Sequence, residues 1–170
     1  FPDRLAVSVR SEGGVDRFTY RALDAMARAA AGRLRQRGIG PGDRCAVLAE
    51  NSAHWCAGYL GILQLGAVAV PFDTNYNVDE IETLLRDSGA KLLLASDRFQ
   101  ETANTAGRTT GVPAASLRDC VDVVPSAQDR RPETGDPPAP GPCPAGASDP
   151  AVILYTSGTT ADPKGVVLTH

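Results

Sequence analysis

The sequence has no CxxC pair and only two histidines, so its four cysteines, Cys45, Cys56, Cys120 and Cys143, form no zinc-ligand cluster by spacing. They read as reduced thiols of a cytoplasmic protein, and no metal ligand is expected among them. Basic residues are not in excess either: seventeen Lys and Arg face twenty Asp and Glu, for a formal net charge of -3. That balance argues against a dedicated nucleic-acid binder, which needs a basic face. No charged segment followed by an apolar run opens the chain, and no initiator methionine precedes Phe1. With the other end at His170, just after apolar residues 166–168, both ends read as cuts within something longer. No internal repeat is present. What the chain does have is apolar content. Hydrophobic residues make up 42% and charged residues 22%, which excludes disorder throughout, and 170 residues suffice for about one domain with a real core.

No formally charged residue occurs between Glu50 and Asp73. The stretch is long enough to cross a bilayer, which takes about 20 apolar residues. Gly58, Gly61, Gly66, the polar Gln64 and Pro71 oppose a membrane span, and a buried helix followed by a buried strand is expected instead. Before it, Thr19 can cap a helix whose apolar positions Leu23, Met26, Ala27, Ala30 and Leu34 share one face, with Gly38 and Ile39 as the stop. Residues 45–49 read as a buried strand, Ser52 as the cap of a helix ending at Gly66, and 67–70 as a second strand, together a βαβ unit. Asn77 and Glu80 have the spacing of a capping box for a helix carrying Ile81, Leu84 and Leu85, ended by Gly89 and followed by a strand at 91–95.

Beyond residue 97 the pattern weakens, with a helix expected near 99–105 and a strand near 121–124. Eight of the thirteen prolines then fall within 125–150, where large apolar side chains are nearly absent. Such a segment cannot bury enough surface to fold alone. It is expected to be a surface linker between an α/β portion at 1–124 and a strand with a phosphate-binding loop at 151–170.

That last segment bears the chemistry. Ala151, Val152, Ile153 and Leu154 form an apolar strand running into Tyr155, Thr156, Ser157, Gly158, Thr159, Thr160, Ala161, Asp162, Pro163, Lys164 and Gly165. A glycine-bearing turn can point several backbone N–H groups at one anion, the hydroxyls add donors, and the lysine adds a positive charge. The arrangement suits a polyphosphate, although the spacing is not that of a Walker A loop. By composition alone it also fits a polar turn between two strands.

The string at 155–165 resembles the signature of the AMP-forming adenylating superfamily, which includes acyl-CoA synthetases, peptide-synthetase adenylation domains and luciferases. The usual form is Tyr-Thr-Ser-Gly-Thr-Thr-Gly-x-Pro-Lys-Gly, and Ala161 is the departure. Upstream, Phe18, Thr19, Tyr20, Arg21, Ala22 and Leu23 look like the family's first core motif, Leu-Thr-Tyr-x-Glu-Leu. The run 63–73, with Gly66, Val70, Pro71 and Asp73, looks like the second, and Asp87, Ser88, Gly89, Ala90 and Lys91 fit the family pattern downstream of it.

The resemblance implies an α/β fold, a partial parallel sheet with flanking helices, forming the first part of the large N-terminal domain of an adenylate-forming ligase. It implies a reaction in which a carboxylate attacks the α-phosphorus of ATP with Mg2+, giving an acyl-adenylate and pyrophosphate. A thiol, coenzyme A or a carrier-protein phosphopantetheine, then takes the acyl group. By the same resemblance, Thr156, Ser157, Gly158, Thr159, Thr160, Lys164 and Gly165 bind the nucleotide, and Lys164 is catalytic because charge grows on the departing phosphates. A Gly-to-Ala change at 161 strains the loop if that position takes a left-handed backbone. The expected partners are a carboxylic acid and coenzyme A or an acyl carrier protein, with no nucleic acid and no integral membrane segment. Residues 66–72, 75–81 and 166–170 look more like fatty or aromatic acyl-CoA synthetases than peptide-synthetase adenylation domains. A nonribosomal peptide synthetase-type adenylation domain and a non-catalytic truncated relative acting as an interaction module are the alternatives. The family's remaining nucleotide, magnesium and catalytic-lysine positions fall beyond His170, so the 170 residues alone are expected to be inactive. Glu50 and Asp73 are expected as solvated strand ends, and His54 in a capping or packing role.

Overall fold

The Thr19 hydroxyl accepts a hydrogen bond from the Ala22 amide at 3.2 Å, and this cap starts helix α1, Tyr20–Gln36. The helix buries Leu23, Met26, Ala27, Ala30, Ala31 and Leu34 on one face. It ends in a Schellman motif: Gly38, at φ 79°, and Ile39 donate their amides to the Arg35 and Leu34 carbonyls at 2.9 and 3.1 Å. The structure, a computed structural model, describes residues 1–11, 14–122, 143–156 and 163–170.

Strand β1 (Leu5–Ser11) pairs antiparallel with β2 (Gly14–Thr19) ahead of α1. The sequence reading places no strand there: β2 is exposed over most of its length, although in β1 half-buried Val7 and Val9 do alternate with exposed Ser8 and Arg10. Next come β3 (Arg44–Leu48), α2 (Ala53–Gln64), β4 (Val68–Pro71), α3 (Val78–Ser88) and β5 (Leu92–Ala95). Ser52 caps α2 by accepting from the Trp55 amide at 3.1 Å. Asn77 and Glu80 exchange the two bonds of a capping box at the start of α3, at 3.0 and 2.8 Å, and Gly89 ends that helix in the left-handed region. The charge-free stretch divides into α2 and β4, as expected. Among the described residues, no helix is long and apolar enough to cross a membrane.

After a 3-10 turn at Asp97–Phe99, α4 (Gln100–Thr110) is longer than the helix expected near 99–105, and it leads to β6 (Ala114–Ser116), a strand that the sequence did not reveal. Helix α5 (Leu117–Val121) corrects a second expectation. The strand placed near 121–124 does not begin at Val121, which is the last residue of this helix, while 123 and 124 lie outside the described residues. Ser116 caps it through the Asp119 amide, and Leu117, Cys120 and Val121, at helical spacing, are all buried. The chain is described again from Cys143, whose thiol lies 3.2 Å from the Leu63 carbonyl, and enters β7 (Pro150–Thr156) and β8 (Lys164–Thr169). Most of the proline-rich interval falls outside the described residues.

The main sheet has the order β6-β5-β3-β4-β7-β8, parallel throughout except for the antiparallel β7–β8 pair. Helices α1, α2 and α5 pack one face, and α3 with α4 the other. Cys45 and Val47 belong to the first core, Ala46 and Leu48 to the second. Burial on both faces is why the strands read as unbroken apolar runs instead of alternating ones.

Candidate active site

Parallel α/β sheets bind ligands beyond the carboxyl ends of their strands. Five chain segments leave the sheet at that edge, after β3, β4, β5, β7 and the short β6. Glu50, Asp73, Ser96 and Thr156 lie at or just beyond these ends. Glu50 is half-buried, and its Oε2 accepts the Ser96 hydroxyl at 2.5 Å, tying the exit of β3 to that of β5. Arg98 stands 3.9 Å from the other carboxylate oxygen. Glu50, its side chain 41% exposed, is thus a partly solvated strand end, as expected, that also cross-links two strand exits. Asp73 is exposed, and its Oδ1 accepts from the Asn75 amide and side chain at 2.9 and 2.8 Å, an Asx turn. His54 Nε2 meets Asp122 Oδ1 at 3.2 Å, linking α2 to the residue after α5.

Strand β7 joins the sheet beside β4, with Val152 opposite Ala69. Its side chains alternate: Ile153 and Tyr155 pack toward the α3/α4 core, while Leu154 and Thr156 are exposed. Strand β8 returns antiparallel, pairing Tyr155 with Gly165 and Thr156 with Lys164. Directly opposed residues of an antiparallel pair share a face, so Thr156 and Lys164, both exposed, stand side by side at the last rung of the ladder. The expected site residues Ser157, Gly158, Thr159 and Thr160, and the departure at Ala161, lie outside the described residues.

Gly165 has a packing reason of its own. A Cβ there would come within 2.8 Å of Ile153 Cγ2 and 3.3 Å of the Tyr155 ring. The ring thus lies over the glycine, with Phe72 set against it edge-on at 6.5 Å. The Tyr155 hydroxyl donates to Asp87 Oδ2 at 2.6 Å. Burial, followed by the Asp87 carboxylate, pushes the phenol's pKa up and keeps it a donor. Asp87 has no role that sequence reasoning found. The signal that could have revealed it is an acid in the last turn of a helix, against the macrodipole.

All 170 residues match the AMP-binding enzyme family. The chain belongs to that family. A long-chain-fatty-acid–CoA ligase of Mycobacterium tuberculosis is 36% identical over 98% of the chain, which spans 33% of that ligase. Surfactin synthase subunit 2 of Bacillus subtilis is 37% identical over 99% of the chain, which spans 4% of that subunit. Among solved structures, ATP-bound MatB from Rhodopseudomonas palustris superposes with a TM-score of 0.77 at 28% identity, covering 99% of this chain and 32% of its own. The chain therefore spans about a third of the length of single-ligase relatives. Its sheet and flanking helices correspond to the N-terminal domain of adenylate-forming ligases. As an AMP-binding enzyme fold, it places the start and end of the 155–165 string, through Thr156 and Lys164, at the carboxyl edge of its parallel sheet.

Proposed function

We propose that the full-length protein activates a carboxylic acid with ATP, forming an acyl-adenylate and releasing pyrophosphate, and then passes the acyl group to a thiol, coenzyme A or a carrier-protein phosphopantetheine. The observation that carries this reading is the hydroxyl-glycine-lysine string of an AMP-binding enzyme leaving the carboxyl edge of the sheet from β7. In this reading, Thr156 and Lys164 flank the triphosphate. Ser157, Gly158, Thr159 and Thr160 supply donors by their residue types, and Gly165 sets the backbone beneath Tyr155. Lys164 is the catalytic group: its ammonium faces the charge that grows on the leaving pyrophosphate, so it favours the transition state over the bound substrate. Among the described residues, no group of three His, Cys, Asp or Glu could hold a metal ion. Mg2+ enters as the ion carried by the triphosphate, where it neutralises phosphate charge.

The acid is proposed to be fatty or aromatic. Similarity to a fatty-acid–CoA ligase over nearly the whole chain supports it. Equal similarity to surfactin synthase supports the second reading, an amino-acid adenylation domain serving a carrier protein. We place 1–124, a linker at 125–150 and the loop-bearing segment at 151–170 as successive parts of one AMP-binding domain of a cytoplasmic enzyme. Pyrophosphate exchange into ATP by the full-length protein, run across fatty, aromatic and amino acids, tests the assignment. Exchange with a fatty or aromatic acid is expected. Exchange with amino acids alone transfers the assignment to the second reading, and exchange with none of them removes the ligase reading.

A further inference from the structure

We propose that Asp87 is a positioning residue for adenylation, holding Thr156 and Lys164 in place through Tyr155. The proposal rests on the functional reading above and adds a residue to it from α3, a different element of the fold. Asp87 is exposed in the last turn of α3, where the helix presents unsatisfied carbonyls and the negative end of its dipole. A carboxylate is disfavoured there by its own helix. The neighbouring Arg86, of the favoured sign, is occupied with Glu82 at 3.0 Å. What Asp87 gains is the Tyr155 hydroxyl at 2.6 Å, a charge-assisted bond to a residue 68 positions away in sequence.

That bond fixes more than one strand. The Tyr155 ring is held at its hydroxyl by Asp87 and flanked by Phe72, and it covers Gly165, its partner across the ladder. Tyr155 immediately precedes Thr156, and Gly165 immediately follows Lys164. One ring therefore sets the backbone on both sides of the rung that presents the hydroxyl and the ammonium. Misplacement of such groups by about 1 Å is enough to slow a positioned reaction on the order of 100-fold.

The test compares Asp87→Ala, Asp87→Asn, Tyr155→Phe and the double variant Asp87→Ala/Tyr155→Phe in the full-length protein. For Asp87→Ala and Tyr155→Phe, kcat/KM for MgATP in pyrophosphate exchange should fall about 5- to 50-fold, with the KM of the acid changed by less than about twofold. Asp87→Asn, whose amide oxygen still accepts the phenol proton, should recover most of the loss. The double variant should be no worse than the poorer single one, because both remove the same bond. Amide hydrogen exchange at Thr156 and Lys164 should quicken in Asp87→Ala while the melting midpoint holds, since α3 loses an unfavourable charge. Parent-like MgATP kinetics in Asp87→Ala, or additive losses in the double variant, would overturn the proposal. If the parent protein shows no acid-dependent exchange, the functional reading fails by itself. Hydrogen exchange then decides the positioning: faster amides at the rung support it, and unchanged amides overturn it.

Discussion

At the scale of single residues, Lys164 is the side chain on which the proposed chemistry rests most. It is exposed on the last rung opposite Thr156, so its removal leaves the core intact. In the full-length protein, Lys164→Ala is expected to slow single-turnover adenylate formation by roughly 10- to 1,000-fold while barely changing acid binding. Equal single-turnover rates for variant and parent would end that role. Gly165, one rung further into the same hairpin, shows how one residue can be read two ways. Its place in the string suggests a phosphate contact, whereas the structure fills the space above it with Ile153 and Tyr155. Only the folded ladder reveals the second role, because the two residues that cover it lie on the opposite strand.

At the scale of elements, the contact between α1 and α2 is set by small side chains. A Cβ on Gly61 of α2 would lie 2.6 Å from Ala30 Cβ and 2.8 Å from the Ala27 carbonyl of α1, with no flexible group to move aside. Gly61→Ala should therefore force the helices apart, at a cost of about 1 to 3 kcal/mol. Gly32, within α1, has nothing within 4 Å of where its Cβ would be. There Gly32→Ala should stabilise by roughly 0.5 to 1 kcal/mol, through the better helix propensity of alanine. Thermal melting of the two variants checks both signs at once. A lowered midpoint for Gly32→Ala or an unchanged one for Gly61→Ala would contradict the helix packing described.

At the scale of the whole molecule, the buried ionisable groups make stability asymmetric in pH. Cys45, fully buried in β3, has its thiol pKa pushed up from 9.0 to about 12, chiefly by burial and then by the charge of Asp43. Burial is also the first cause for Cys56, Tyr59, Tyr76 and Tyr155, all shifted upward. For a group with a raised folded pKa, the unfolded chain ionises first as the pH climbs, so for Cys45 the contribution is present below 9 and is lost between 9 and 12. Cys45 alone should account for about 1 kcal/mol of that loss by about pH 10. The melting midpoint should fall steeply above about pH 9, and Cys45→Ala should flatten that slope relative to its own value at about pH 7. On the acid side, the hydrogen bond from Lys91, at 2.6 Å, is the main cause holding Asp43 below its ordinary value of 3.8. That contribution is present above 3.8 and fades as the pH falls through the lowered pKa. A midpoint independent of pH between about 9 and 11 would contradict the burial of these groups.

What the sequence determined by itself is local or carried by a string of residues. Thr19, Ser52, the Asn77 and Glu80 pair, and Gly89 mark helix ends because a cap satisfies amides or carbonyls only a few positions away. The central strands are legible because burial on both faces demands a continuous apolar run. The residues at 155–165 resemble one family signature closely enough to point to the family that the whole chain matches. Tertiary structure alone decided the rest. Three-residue β6 is too short to show a period, and in five-residue α5 the helical spacing of Leu117, Cys120 and Val121 amounts to a single turn, too little to outweigh the valines at 121, 123 and 124 that suggest a strand. The outer position of the β7–β8 hairpin, the Glu50 link to Ser96 and the Asp87 bond to Tyr155 all join residues far apart in the chain. Such contacts have no local signature, since the chain must close a long loop before either partner meets the other.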